Sequence, residues 1–203
     1  MKEFRLEDSR IIELSEKFTE IVKGIKNTEN LIAIENLMAE IGNRFFVAPA
    51  SNRLEYHNCF PGGLLEHSMR VYSNLSTMAN KKNISQDSII VCGLFHDLGK
   101  VGTVNEDYFL PNESQWHREK LGMMYEHNES LIYLGTAIRS VKLLTDFGVK
   151  LTDEEYQAII IHDGQYTPEN KPYAHKETWL ALLLHQADMQ ACQFEKERWA
   201  KIQ

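Results

Sequence analysis

The sequence predicts an all-α fold, a helical bundle entered by an N-terminal helical pair. Apolar residues recur at three- and four-residue steps along most of the chain, the period of a helix that buries one face. No run alternates cleanly enough between apolar and polar residues to demand a sheet. At 203 residues the chain is long enough to bury a sizeable core without staples.

In chain order, Ile11, Leu14, Phe18, Ile21, Val22 and Ile25 predict a helix over residues 9–25. Leu31, Ile34, Leu37, Met38 and Ile41 predict a second, capped at the polar break Asn27-Thr28. Pro49 to Cys59 is polar and irregular, and Pro61-Gly62-Gly63 punctuates the chain before Leu64, Val71, Leu75 and Met78 resume helical spacing. Asp87 to Leu98 predicts an apolar helix stopped by Gly99. Val101 to Gln115, with Gly102, Asn105, Pro111 and Asn112, has the composition of a loop, and beside a site such a loop is a candidate lid. Helices follow over residues 116–126 and 130–147, the second ending at Gly148. Thr152 and Glu155 form a capping-box pattern that opens a helix toward His162. Residues 164–172 read as a second exposed loop, and the final helix is expected over 176–201.

The net charge of -7 argues against a long groove that neutralises many phosphates, and favours a small substrate or a short strand end. Cys59, Cys92 and Cys192 are widely separated and form no CxxC spacing, so neither a disulfide framework nor a structural zinc site is expected. A reducing cytoplasm is the expected setting. Met1 to Arg10 is rich in charge, and the longest purely apolar stretch, Trp179 to Leu184, is far short of the roughly 20 residues a membrane span requires. No signal peptide and no membrane segment is expected.

Several ionisable residues fall on apolar helix faces. His67 shares a stripe with Leu64, Val71 and Leu75, and Asp188 shares one with Ala181, Leu184 and Ala191. An ionised carboxylate on such a face is expensive to bury without a cation or hydrogen-bond donors. His96 and Asp97 end the most apolar helix of the middle region, after Ile89, Ile90, Val91, Cys92, Leu94 and Phe95. Taken singly, each residue is better explained as hydrogen-bonded structure. Taken together, and with the motif they belong to, a divalent ion explains them better.

Gly62-Gly63-Leu64-Leu65-Glu66-His67-Ser68, then Leu94-Phe95-His96-Asp97-Leu98-Gly99-Lys100, then Leu184-His185-Gln186-Ala187-Asp188 resemble the H…HD…D signature of the HD-domain metal-dependent phosphohydrolases. The likeness spans about residues 49–195, and HDLGK after an apolar helix is its most specific part. It implies an HD domain over residues 46–203, with residues 1–45 as a helical extension packed on it. It further implies that His67, His96, Asp97 and Asp188 bind one divalent ion. By likeness to the subfamilies that hold two metals, His127 and His162 would bind a second, with Asp97 bridging. Four imidazoles and two carboxylates suit Mn, Fe, Zn or Ni better than Mg or Ca.

Ala48-Pro49-Ala50-Ser51, Tyr56-His57 and Ile161-His162-Asp163-Gly164-Gln165-Tyr166 look most like the HD portion of bacterial 3′-5′ exoribonucleases that carry an OB-fold ahead of it. No OB-fold pattern is evident here, and His162-Asp163 stands where that family often has two histidines.

The resemblance implies a metal-dependent phosphohydrolase or phosphodiesterase, cleaving a phosphoester of a nucleotide or nucleic-acid end by metal-activated water. Asp97 and Lys100 are the expected catalytic residues. Lys100 lies three residues past Asp97 and could offset phosphate charge, or simply favour a helix C-terminus. His57, Trp116, His117, Arg70 and Tyr166 are weaker candidates for lining a pocket, and His185 for orienting a ligand. The expected partner is a small phosphorylated substrate such as a nucleotide, or a short nucleic-acid end, and not a membrane. The alternatives are a 3′-5′ exonuclease acting on short RNA or DNA, a di-iron oxygenase, since some HD-fold proteins with six ligands activate oxygen, and a non-catalytic nucleotide-binding regulator.

Overall fold

The computed structural model describes residues 6–80 and 82–200, with the side chains of 199 and 200 excepted. The first five residues of the charged N-terminal stretch, and Lys201 at the expected end of the final helix, lie outside the described residues.

α1 (Asp8–Val22) buries Leu14, Phe18 and Val22, one residue per turn. The turn to α2 (Thr28–Val47) is pinned twice. The Asn27 side chain accepts from Asn30 N at 3.0 Å, and the Asp87 carboxylate accepts from Lys26 N and Asn27 N, each at 2.9 Å. α2 buries Ile34, Leu37, Ile41 and Phe45 and continues past residue 45, where the N-terminal extension is expected to end. Both helices share one apolar core with those that follow, and Phe18 packs on Phe45 and Phe95 at centroid distances of 5.3 and 5.5 Å.

α3 (Gly63–Ala79) starts after Gly62, whose φ of 86° is the left-handed conformation that glycine adopts without strain. It packs against both α4 (Gln86–Phe95) and α8 (Trp179–Ala200), while α7 (Asp153–Ile160) packs on the same two. Gly93 makes the α3–α4 crossing close, because a Cβ there would lie 2.8 Å from Tyr72 Cα. The capping box of Thr152 and Glu155 opens α7 as its sequence pattern predicts.

The middle of the chain departs from expectation. α4 ends at Phe95, not Leu98, and the chain tightens into a 3-10 turn, Leu98–Val101, so that Gly99 lies inside the turn and stops nothing. α5 (Gln115–Leu121) ends five residues early, at a left-handed Gly122. The chain beyond it forms β2 (Tyr125–His127), antiparallel to β1 (Phe109–Pro111), so the bundle carries a small ribbon where no sheet is expected. α6 (Thr136–Asp146) begins six residues late, because the Asn128 side chain accepts from Ser130 N at 3.0 Å and holds a turn there. A second 3-10 turn, Pro168–Tyr173, fills the expected loop before α8. Arg44 of α2 fastens the segment after the first 3-10 turn, donating to the carbonyl oxygens of Val101, Thr103 and Val104 at 2.7–2.9 Å. Among the described residues no helix is long and apolar enough to cross a membrane.

The close α3–α4 crossing yields a prediction. Alanine is the better helix former by about 1 kcal/mol, yet the backbone of Tyr72 leaves its methyl no room. Gly93→Ala is expected to lower stability by about 1–3 kcal/mol. A urea midpoint that falls at unchanged slope is the result expected.

Candidate metal centre

Four elements converge on one buried point. α3 supplies His67, the junction of α4 and its 3-10 turn supplies His96 and Asp97, the residue after the C-cap of α7 is His162, and α8 supplies Asp188. His67, His96, Asp97 and His162 are all buried. Asp97 stands where the α-helix gives way, with φ −101° and ψ 13°, and the following turn is locked to α6 by Gly99 N donating to Ser140 Oγ at 2.8 Å.

The partners of the three rings decide which nitrogen faces inward. His96 Nδ1 lies 3.2 Å from the Gly93 carbonyl oxygen and His162 Nδ1 lies 2.8 Å from that of Ile159. His67 Nδ1 lies 3.1 Å from Glu195 Oε2. Each partner only accepts, so each Nδ1 carries a hydrogen and each Nε2 is the nitrogen that faces the centre. There the nitrogens meet further acceptors. His67 Nε2 is 3.1 Å from Asp188 Oδ1 and 3.5 Å from Asp97 Oδ2, His96 Nε2 is 3.6 Å from Asp97 Oδ2, and His162 Nε2 is 3.4 Å from Asp97 Oδ1. His67 Nε2 and His96 Nε2 are buried without a well-formed hydrogen bond, despite these short separations.

The carboxylates set the field. Burial alone would lower His67, but Glu195 and Asp188 overcome it and push the ring up to about 10. His162 is likewise raised to about 10 against burial, by Asp163 and Asp97. Burial wins at His96, which falls to about 4. Burial would raise Asp97 and Asp188, yet Lys100 and His96 hold Asp97, and His67 holds Asp188, well below the usual carboxylate range. Buried carboxylates that keep their charge and draw positive charge onto His67 and His162, with ring nitrogens converging on them, fit a divalent cation in place of those protons. Two sets of ligand atoms lie within 4.8 Å of one another, His67–His96–Asp188 and His96–Asp97–His162, and a third adds Asp163 to His162 and Asp188.

The structure therefore brings together His67, His96, Asp97, His162 and Asp188. His127 joins none of these groups. It stands exposed on β2, its ring 4.9 Å from that of Tyr108 and 5.3 Å from that of Phe109. Lys100 is not at an open mouth. It sits half-enclosed on the 3-10 turn, its Nζ 2.6 Å from Asp97 Oδ2. Of the weaker candidates, His57 stacks 4.6 Å from the His67 ring, and Arg70 donates to Glu195 Oε1 at 3.0 Å. His185 Nδ1 is 2.8 Å from the His162 carbonyl oxygen, so it supports that residue through its backbone. Trp116 and Tyr166 are exposed.

Two residues of the site escape the sequence reading, Glu195 and Cys192. Glu195 is buried on α8 between His67 and Arg70, and Cys192 donates to Asp188 Oδ1 at 3.4 Å. Their signal is spacing alone, since Asp188, Cys192 and Glu195 continue one face of α8 at steps of four and three. Burial, with Asp188 adding to it, pushes the Cys192 thiol far above its ordinary range.

Fold and site together define a helical protein built around a buried histidine–aspartate centre suited to a divalent ion. The HD domain family matches residues 64–188, more than half the chain, and the protein belongs to that family, whose members are metal-dependent phosphohydrolases. No curated protein and no solved structure matches the chain.

Glu195 fixes the orientation of His67 from behind. Glu195→Gln keeps the volume but removes the charge, and divalent-ion affinity is expected to fall about 10–100-fold by isothermal titration.

Proposed function

We propose that the protein hydrolyses a phosphoester of a small nucleotide, using a divalent ion held by His67, His96, Asp97 and Asp188, with His162 on the far side of Asp97. The observation that carries this reading is the convergence of inward ring nitrogens and buried carboxylates, with Nε2 of both His67 and His96 left without a hydrogen bond. The donor set is oxygen and imidazole, which suits Mn, Fe, Zn or Ni. When bound, the ion supplies Lewis acidity toward a phosphoryl oxygen and an acidified water to attack phosphorus.

The chain's own residues do the rest. Glu195 and the carbonyl oxygens of Gly93 and Ile159 hold the three rings in one tautomer and one orientation. Lys100 shares Asp97 Oδ2 at 2.6 Å and is the nearest ammonium to offset charge growing on a transferred phosphoryl group. A net charge of -7 supports a small substrate over an extended strand, because a net negative protein gains little from a long polyanion.

The test is turnover of bis(p-nitrophenyl) phosphate and a panel of nucleotides, with manganese or cobalt, beside Asp97→Asn and Lys100→Met. Asp97→Asn is expected to lose bound metal and all measurable turnover. Lys100→Met is expected to keep the metal and lose kcat about 10²–10³-fold. Stoichiometric metal with no turnover of any phosphoester would sink the enzyme reading. Faster turnover of short RNA or DNA ends than of any mononucleotide would move the substrate class to a 3′-5′ exonuclease.

A further inference from the structure

His57 and Cys192 stand against the centre without a part in the reading above. Cys192 lies one turn past Asp188 on α8, and its Sγ is 3.4 Å from both Asp188 Oδ1 and His57 Nδ1. His57 belongs to the loop ahead of α3, where its carbonyl oxygen accepts from Ser51 Oγ at 2.7 Å. Its ring lies 4.6 Å from that of the fully buried His67.

A simple role for Cys192 is to donate its S–H to Asp188. That leaves two facts unaccounted for. His57 Nε2 is shielded from solvent and has no hydrogen-bond partner, and His67 Nε2 beside it has none either. With His96 Nε2 these make three buried ring nitrogens without a hydrogen bond at one centre, and a bound cation is one way such nitrogens are satisfied. The ligand atoms of His57, His67 and Cys192 also lie within 4.8 Å of one another, and this set contains sulfur where the other sets hold only nitrogen and oxygen.

We propose that His57 and Cys192 form, with His67, a nitrogen–sulfur arm of the metal centre that takes a thiophilic divalent ion such as zinc or cobalt. This rests on the reading of the buried cluster as a cation centre, and adds a thiolate ligand that biases it away from manganese and magnesium. On binding, the thiol proton leaves to solvent and the sulfur lone pair is donated to the ion, with no change of oxidation state.

Cobalt(II) tests this directly, since a thiolate ligand gives a sulfur-to-cobalt charge-transfer band in the near ultraviolet that oxygen and nitrogen ligands do not. The wild-type protein, loaded without oxygen, is expected to show the band. The variant Cys59→Ala, Cys92→Ala is expected to keep it, which assigns it to Cys192. Cys192→Ser is expected to bind cobalt without it, and His57→Gln to weaken cobalt binding about tenfold. Stoichiometric cobalt with no band in the wild type overturns the sulfur arm and leaves the proposed hydrolase intact, as does a band that survives Cys192→Ser. No cobalt binding at all overturns both. The wild-type spectrum decides whether sulfur ligates, so a variant that fails to fold does not rescue the proposal.

Discussion

A carboxylate buried to the extent of Asp97 has to be met by positive charge or hydrogen bonds from every direction, and that demand organises the molecule. Lys100 meets it from the next turn at 2.6 Å, and the rings of His162, His67 and His96 stand at 3.4–3.6 Å from three other directions. None of these groups could be delivered by one helix. The break between α4 and its 3-10 turn aims Asp97 inward, and α3, α7 and α8 must then end or cross at that point. The apolar core serves this arrangement by fixing where the helices cross, as Gly93 does at the α3–α4 contact.

Behind the rings lies a layer of charge that positions them. Glu195 receives His67 and Arg70. Arg70 also approaches Glu66 at 3.7 Å, and Glu66 accepts from Arg198 at 2.6 and 2.7 Å and from Asn58 at 3.1 Å. Burial would raise Glu66, but Arg198 outweighs it and keeps the carboxyl below its ordinary value. Partly buried ion pairs of this kind contribute little net stability, because desolvation offsets most of the Coulomb attraction. Their effect is geometric. They join α3, α8 and the loop carrying Asn58, so His57, His67, Asp188 and Glu195 hold a common register.

What the sequence revealed follows from the range of each interaction. α1, α2, α3 and α7 were legible because periodicity and caps are local, and the Asn27 and Thr152 caps form as their residue types dictate. The ribbon was not legible. Strands of three residues are too short to display alternation, and Pro111 and Gly122 read equally well as loop residues. His67, His96, Asp97 and Asp188 stood out because polar groups on apolar faces need a reason. His127 falls between two expected helices and is named only by family likeness, and its place on β2 depends on a strand pairing that no local signal announces. Glu195 looked like one more charge on a terminal helix, since its burial depends on Arg70 and His67, both more than a hundred residues away.

The site's burial is uneven, and the unevenness gives it a direction. His67, His96 and Glu195 close the back with no exposed side-chain surface. Lys100 and Asp188 each leave 14% of the side chain open, and Asp163 leaves 58%. The exposed Asp163 beside His162 therefore marks the more open side of the centre. Asp163 places a carboxylate 3.7 Å from His162 on that side. Alone such a carboxylate repels an anion. His162, Asp163 and Asp188 are close enough to hold a divalent ion together, and such an ion would offset that charge.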